Sequence, residues 1–339
     1  MTGVPQPGLL LVAIFCIALA GTWLARRYAL RRRLLDEPGA RRSHVVATPR
    51  GGGIAIVAAM LPALGFAAMY WPQWHGLLLA AGGGLLLVAG IGWADDHRPL
   101  SPWLRLGVHA LAASLLCAAV WHSGGAAWFA CSVGLLALGL VNVWNFMDGI
   151  DGIATSQAML VAVAAACIAP SAGALFVALA VMAACAGFLP FNAPRATIFL
   201  GDVGSGALGY LLALLFAASG LGDPVHAWLL LLPMAAFLVD AALTLASRML
   251  RGERWWTPHV QHCYQHCVQR GHAHALVSGS YLAWTALSLG LSWLLMERAV
   301  AVIIGGIALW YALTAAIWFH LRIRHRRWAG TTSGTHGND

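Results

Sequence analysis

Apolar runs of roughly twenty residues, each long enough to cross a hydrocarbon core of ~30 Å, recur from one end of the chain to the other. Lipid offers the backbone no hydrogen-bond partners, so uninterrupted runs of this length satisfy their own N–H and C=O groups as helices. They lie near 8–28, 52–71, 76–94, 103–121, 126–144, 155–169, 173–189, 205–220, 226–247, 276–296 and 299–320. The pattern predicts an all-α integral membrane protein with about ten or eleven transmembrane helices. The pair 155–169 and 173–189 also reads as one kinked hairpin. Composition agrees: 60% of the 339 residues are hydrophobic and 9% charged, against roughly 25% charged in a soluble domain. Residues 1–328 read as a single polytopic domain, and 329–339, rich in Gly, Thr and Ser, as a disordered cytoplasmic tail.

Orientation follows from the basic residues, every one of them Arg. With the N-terminus outside, 19 of the 20 fall in inside segments and Arg298 alone lies outside, which the positive-inside rule favours strongly over the reverse. The C-terminus is then cytoplasmic. No basic residue precedes the first run, which therefore does not resemble a cleaved signal peptide. The net charge of +8 belongs to the inner membrane surface, where anionic lipids contribute about 1 kcal/mol per Arg. It is not a nucleic-acid signal. Five of the seven Cys lie in apolar runs and two in a cytoplasmic loop, so no disulfides are expected.

The outside connections are short, and the inside ones carry most of the Gly, Pro, His and carboxylates. Asp95-Asp96 close the third run ahead of Pro99 and Pro102. As a solvated helix end the pair is ordinary; as paired carboxylates it offers oxygen ligands for Mg²⁺ or a proton acceptor. Asn142, Asn145, Asp148 and Asp151 follow at intervals of three, with Gly149 and Gly152 directly after the two aspartates. Neighbours at that spacing share a helix face but the ends do not, unless the glycines loosen the helix and turn Asp148 and Asp151 into one cleft. An interhelical Asn pair with ordinary loop aspartates is the bland alternative. Asp202 sits between Gly201 and Gly204, just before an apolar run. It reads as an N-cap, or as a metal ligand beside a phosphate drawn to the helix N-terminus. Phe199 suits either a nucleobase or the membrane interface. The 248–275 loop holds Arg251, Arg254, His259, His262, His266, His272 and His274. No C-x₂-C spacing accompanies its Cys263 and Cys267, which disfavours zinc and leaves donors for a diphosphate.

In that order these motifs resemble the polyprenyl-phosphate N-acetylhexosamine-1-phosphate transferases, glycosyltransferase family 4, over roughly residues 36–275. Asp36-Glu37-Pro38, Arg41, Ser43-His44 and Thr48-Pro49-Arg50-Gly51-Gly52-Gly53 resemble the family's first cytoplasmic loop. The resemblance implies a phosphotransferase of the bacterial inner membrane that joins a UDP-sugar to undecaprenyl phosphate, releases UMP and works at the cytoplasmic face. It implies Mg²⁺, with Mn²⁺ as a candidate substitute, held by Asp202, Asp95 and Asp96, which are also the implied catalytic residues. It implies substrate contacts from Asn142, Asn145, Asp148, Asp151, Phe199, His259, His262, Arg50, Arg105 and His44, and it is compatible with a homodimer. Two departures narrow the branch. Trp103 stands where a basic residue often follows the acidic pair, and the loop Pro258-His259-Val260-Gln261-His262-Cys263-Tyr264-Gln265 lacks clustered histidines. The likeness is thus to the branch initiating O-antigen or other surface polysaccharides, with a UDP-N-acetylamino sugar, 6-deoxy sugars included, as donor.

A transporter or flippase for a lipid-linked or nucleotide sugar is the alternative. Transporters place polar groups near the bilayer midplane, and here only Asp240 lies deeper than the inner face. Asp240 reads as a partner of Arg248 or as part of a lipid-phosphate site.

Overall fold

The computed structural model describes residues 7–37, 39, 46–254, 256, 257 and 259–334. It is an all-α integral membrane protein. The helices are α1 (Pro7–Arg32), α2 (Ile54–Tyr70), α3 (His75–His97), α4 (Pro102–His122), α5 (Ala127–Met147), α6 (Ile153–Cys167), α7 (Ala172–Asn192), α8 (Gly201–Gly220), α9 (Pro224–Leu229), α10 (Leu231–Leu250), α11 (Cys263–Gln269), α12 (His274–Leu295) and α13 (Val300–Gly334). Among the described residues nine helices are long and apolar enough to span a membrane, and α2 and α6 are shorter apolar helices. A two-residue pairing of β1 (Leu35–Asp36) with β2 (Thr48–Pro49) closes the first loop.

Three elements differ from the sequence expectation. The run at 226–247 is two helices, α9 and α10, meeting at Leu230. The loop after α10 contains α11, started by a capping box in which His262 is the N-cap and the Gln265 side chain accepts from the His262 N–H. The last helix continues to Gly334, through the first six residues of the expected irregular tail, and 335–339 lie outside the described residues. The 153–192 region is two helices, α6 and α7, joined by a short turn and packed on each other, as the hairpin reading allowed.

The centre of the bundle is α8, buried from Val203 to Gly220 and packed against α3 and α5. Small residues permit this. A Cβ on Gly92 of α3 would stand 2.5 Å from the Asp202 carbonyl oxygen, and one on Gly209 of α8 would stand 2.3 Å from that of Leu140 on α5. In lipid, where no hydrophobic effect pushes helices together, close backbone approach through small residues is what holds them. The start of α2 meets the start of α8 in the same way: a Cβ on Gly53 would lie 2.1 Å from the Gly204 Cα. That contact brings Arg50 and the C-terminus of α3 to the first turn of α8.

Candidate active site

Asp95 and Asp96 occupy the last turn of α3, yet the fold gives them different work. Asp96 is 3% exposed and accepts the Asp202 and Val203 N–H groups, each at 3.2 Å. It caps α8 from another helix, and nothing larger than Gly fits beside it at 201, where a Cβ would come within 2.5 Å of its Oδ2 and where φ is +70°. Arg50 braces it from behind, donating to the Asp96 carbonyl at 2.6 Å. The expectation that the α8 N-terminus offers its amides to a phosphate is thus modified. The N–H groups of 202 and 203 bind the chain's own carboxylate, and Asp202 stands inside the first helical turn rather than ahead of it.

Asp95 is partly exposed. Its Oδ1 accepts the Leu100 N–H at 2.6 Å, which holds the turn before Pro102. Its Oδ2 meets Arg105 Nη1 at 2.7 Å, and the same nitrogen reaches Asp202 Oδ2 at 2.6 Å. One guanidinium on α4 therefore bridges the ends of α3 and α8, and all three side chains remain partly exposed.

The end of α5 and the glycine-rich turn after it lie beside the start of α8. Asn145 donates to Ser205 Oγ at 3.1 Å, joining α5 to α8; Asn142 donates to Leu138 on its own helix at 2.8 Å. Asp148, the residue that ends α5, has its carboxyl pushed well above the usual range by burial, then by the charges of Asp202, Asp96 and Asp36. Four carboxylates from four segments thus converge on this end of the bundle. Asp151 turns away from them and pairs with His274 on α12 at 3.3 Å. Phe199 is half-buried, its backbone pairing with Pro49 and Gly52 at 2.8 and 2.9 Å. His259 is half-buried and its ring lies 4.9 Å from that of His262. Burial and the neighbouring His262 and Arg248 charges lower its pKa to about 4. His262 is 3% exposed, stacked with Tyr264 and within α11's cap. His44 lies outside the described residues.

Asp240 does not pair with Arg248, as one sequence reading allowed. It accepts from Cys263 N–H at 3.0 Å, Tyr281 Oη at 2.7 Å, Trp318 Nε1 at 3.1 Å and Thr244 Oγ1 at 3.1 Å, while Arg248 pairs with Glu253 at 3.3 Å. Ser205 and Tyr264 escaped the sequence reading as site-building residues, and His274, read there as a donor for a diphosphate, pairs with Asp151 instead. Ser205 follows Gly204 beside Asp202, and Tyr264 carries no local signal because its partner Phe146 lies more than a hundred residues away.

Among the described residues no three His, Cys, Asp or Glu side chains stand at metal-ligating spacing. The donor set at Asp95 and Asp202 nonetheless fits a hard divalent cation. Both are oxygen donors, and a positive group already stands between them at hydrogen-bond distance from each.

Residues 78–220 match glycosyl transferase family 4. The phospho-N-acetylmuramoyl-pentapeptide-transferase of Heliobacterium modesticaldum is 33% identical over 58% of this chain and 70% of its own. The chain belongs to this family. The decaprenyl-phosphate N-acetylglucosaminephosphotransferase of Mycobacterium leprae is 28% identical over 84% of this chain and 83% of its own. The undecaprenyl-phosphate alpha-N-acetylglucosaminyl 1-phosphate transferase of Yersinia pestis is 27% identical over 77% of this chain and 76% of its own. Every part of the acid cluster that follows β2 lies in the matched region, so the convergence of Asp95, Asp96, Asp148 and Asp202 is set on this family's scaffold.

Proposed function

We propose that this chain transfers an N-acetylamino-sugar 1-phosphate from a UDP-sugar to undecaprenyl phosphate, releasing UMP and initiating O-antigen or another surface polysaccharide. A lipid phosphate oxygen forms a bond to the β-phosphorus, and the bond from that phosphorus to the bridging oxygen breaks, so UMP leaves with the electron pair. The observation that carries this reading is the Arg105 bridge between Asp95 and Asp202, at 2.7 and 2.6 Å. It sets a guanidinium and two hard oxygen donors together at the ends of two helices long enough to span a membrane. That is where a lipid phosphate and an aqueous nucleotide can meet.

Mg²⁺ held by Asp95 and Asp202 would supply the charge that lets two anionic substrates approach and stabilises the departing phosphate. The chain's own residues do the rest. Asp96 and Arg50 keep Asp202 in place through the α8 cap. Arg105 is long enough to leave the carboxylates and donate to phosphate oxygens. Asp148 adds acceptors opposite Asp202, and His259, neutral near pH 7, donates from the loop side. Asp240 was the basis of the transporter alternative. It spends its oxygens on donors from α10, α11, α12 and α13, which supports a structural role. The Arg distribution supports a bacterial inner-membrane protein with an outside N-terminus and the site at the cytoplasmic face.

The test is UMP release by purified protein with undecaprenyl phosphate, Mg²⁺ and a panel of UDP-N-acetyl sugars. Release should need lipid and metal together and should vanish in Asp202→Asn while the variant remains folded. Full activity in that variant would remove Asp202 from the site.

A further inference from the structure

The loop carrying His259 and the turn carrying Asp148 meet at one side chain. Tyr264, the second residue of α11, is fully buried, and its hydroxyl donates to the Phe146 carbonyl at 3.0 Å. Phe146 lies in the last turn of α5, where carbonyls lack partners within the helix. The tyrosine therefore satisfies a group at the point where the helix gives way to the Asp148 turn. On the other side of that turn, Gly149 leaves no spare room: a Cβ there would stand 2.2 Å from the Tyr264 hydroxyl and 3.0 Å from Cζ. Among the described residues Gly149 is not one of the left-handed glycines, so space rather than backbone conformation requires a glycine.

The residue before Tyr264, Cys263 at the start of α11, is fixed as firmly. Both oxygens of Asp240 accept the Cys263 N–H, at 3.0 and 3.1 Å, and α12 and α13 hold Asp240 through Tyr281 and Trp318. A continuous path of contacts thus runs from α10 through Asp240, Cys263 and Tyr264 to Phe146 and Gly149, two residues either side of Asp148 or nearer. A buried aromatic anchored at both faces transmits position because a packed interior has little free volume to absorb a displacement.

We propose that Tyr264 is a positioning residue for sugar-phosphate transfer: its hydroxyl holds the Asp148 turn in register with the His259 loop, so that both approach the nucleotide sugar as one unit. This rests on the transferase reading above. Tyr264 touches no substrate itself.

The experiment compares UMP release by Tyr264→Phe, Gly149→Ala and the double variant, with melting temperatures measured in detergent alongside. Tyr264→Phe keeps the ring, and kcat/KM for the UDP-sugar should fall about tenfold, the scale of one lost hydrogen bond, with KM for undecaprenyl phosphate unchanged. Gly149→Ala should fall further, because its methyl meets the hydroxyl. The double variant should recover activity over Gly149→Ala alone, since the oxygen that stood nearest is gone. A double variant no better than Gly149→Ala, in a parent that is active, overturns the proposal alone. So does Tyr264→Phe with unchanged kcat/KM. A folded parent that releases no UMP with any sugar overturns the transferase reading, and the proposal with it.

Discussion

Arg105→Met should bind Mg²⁺ more tightly than the parent in the absence of substrates, while transferring sugar phosphate more slowly. The opposite signs follow from the bridge. Arg105 Nη1 sits 2.7 Å from Asp95 and 2.6 Å from Asp202, so the guanidinium competes with any cation for the same two oxygens. Those oxygens cannot be farther apart than about 5 Å, and at an effective dielectric of ~20 two unit charges at that separation repel by about 3 kcal/mol. Methionine keeps the length and apolar stem of the side chain but leaves that repulsion for the metal to relieve. Arg105 is 29% exposed and Asp202 31%, so solvent screening reduces the benefit to about 2 kcal/mol, or roughly 30-fold in dissociation constant. Catalysis should suffer because the donor that moves to the phosphates is gone. Isothermal titration of Mg²⁺ into detergent-purified parent and variant at pH 8, with carboxylates ionised, measures the first effect, and UMP release the second. Metal affinity that is unchanged or weaker in a folded Arg105→Met protein would refute the competition argument.

Asp96→Ala leaves the N–H groups of Asp202 and Val203 without their acceptor, and at about 1–3 kcal/mol for each buried unsatisfied group it should lower the melting temperature far more than Asp95→Ala; equal losses would show that the α8 cap is not what Asp96 provides. Gly53→Ala should prevent α2 from docking on α8, because its Cβ would lie 2.1 Å from the Gly204 Cα, and should appear as loss of monodisperse protein in size-exclusion chromatography. Burial lowers the pKa of both His259 and His266 from 6.5 to about 4. The unfolded chain therefore binds more protons than the folded one between those values, and stability is lost as pH falls from about 6.5 to 4. The double variant His259→Gln/His266→Gln should show a shallower decline of melting temperature over that window, and an unaltered slope would place the acid sensitivity elsewhere.

Much of the bundle was legible because its signals are local. Hydropathy over a window of about twenty residues reflects what lipid demands of each segment separately, and it located the spans within a few residues of α1 to α8. It failed at Leu230 and in the 259–269 loop, where the decision lies with neighbours. Helix α11 is seven residues long, too short to hold itself together in isolation; Asp240 and its own capping box keep it folded.

The acids themselves were legible for the same reason: carboxylates beside glycines at the ends of apolar runs are conspicuous in a chain of this composition. Sequence alone marked most of the residues that gather at this end of the bundle, and the order of motifs pointed to the family. Only the tertiary structure decided how they divide the work. Asp95 and Asp96 are neighbours in the chain and indistinguishable by pattern, yet one pairs with Arg105 and the other caps a helix whose first turn lies more than a hundred residues away. Asn145 finds Ser205, Asp151 finds His274, and Tyr264 finds Phe146 across similar separations. A side chain's chemistry is carried by its own atoms and can be read in one dimension. Its role is set by which partners the packing brings within hydrogen-bond reach, and those partners are chosen only when the helices close against one another.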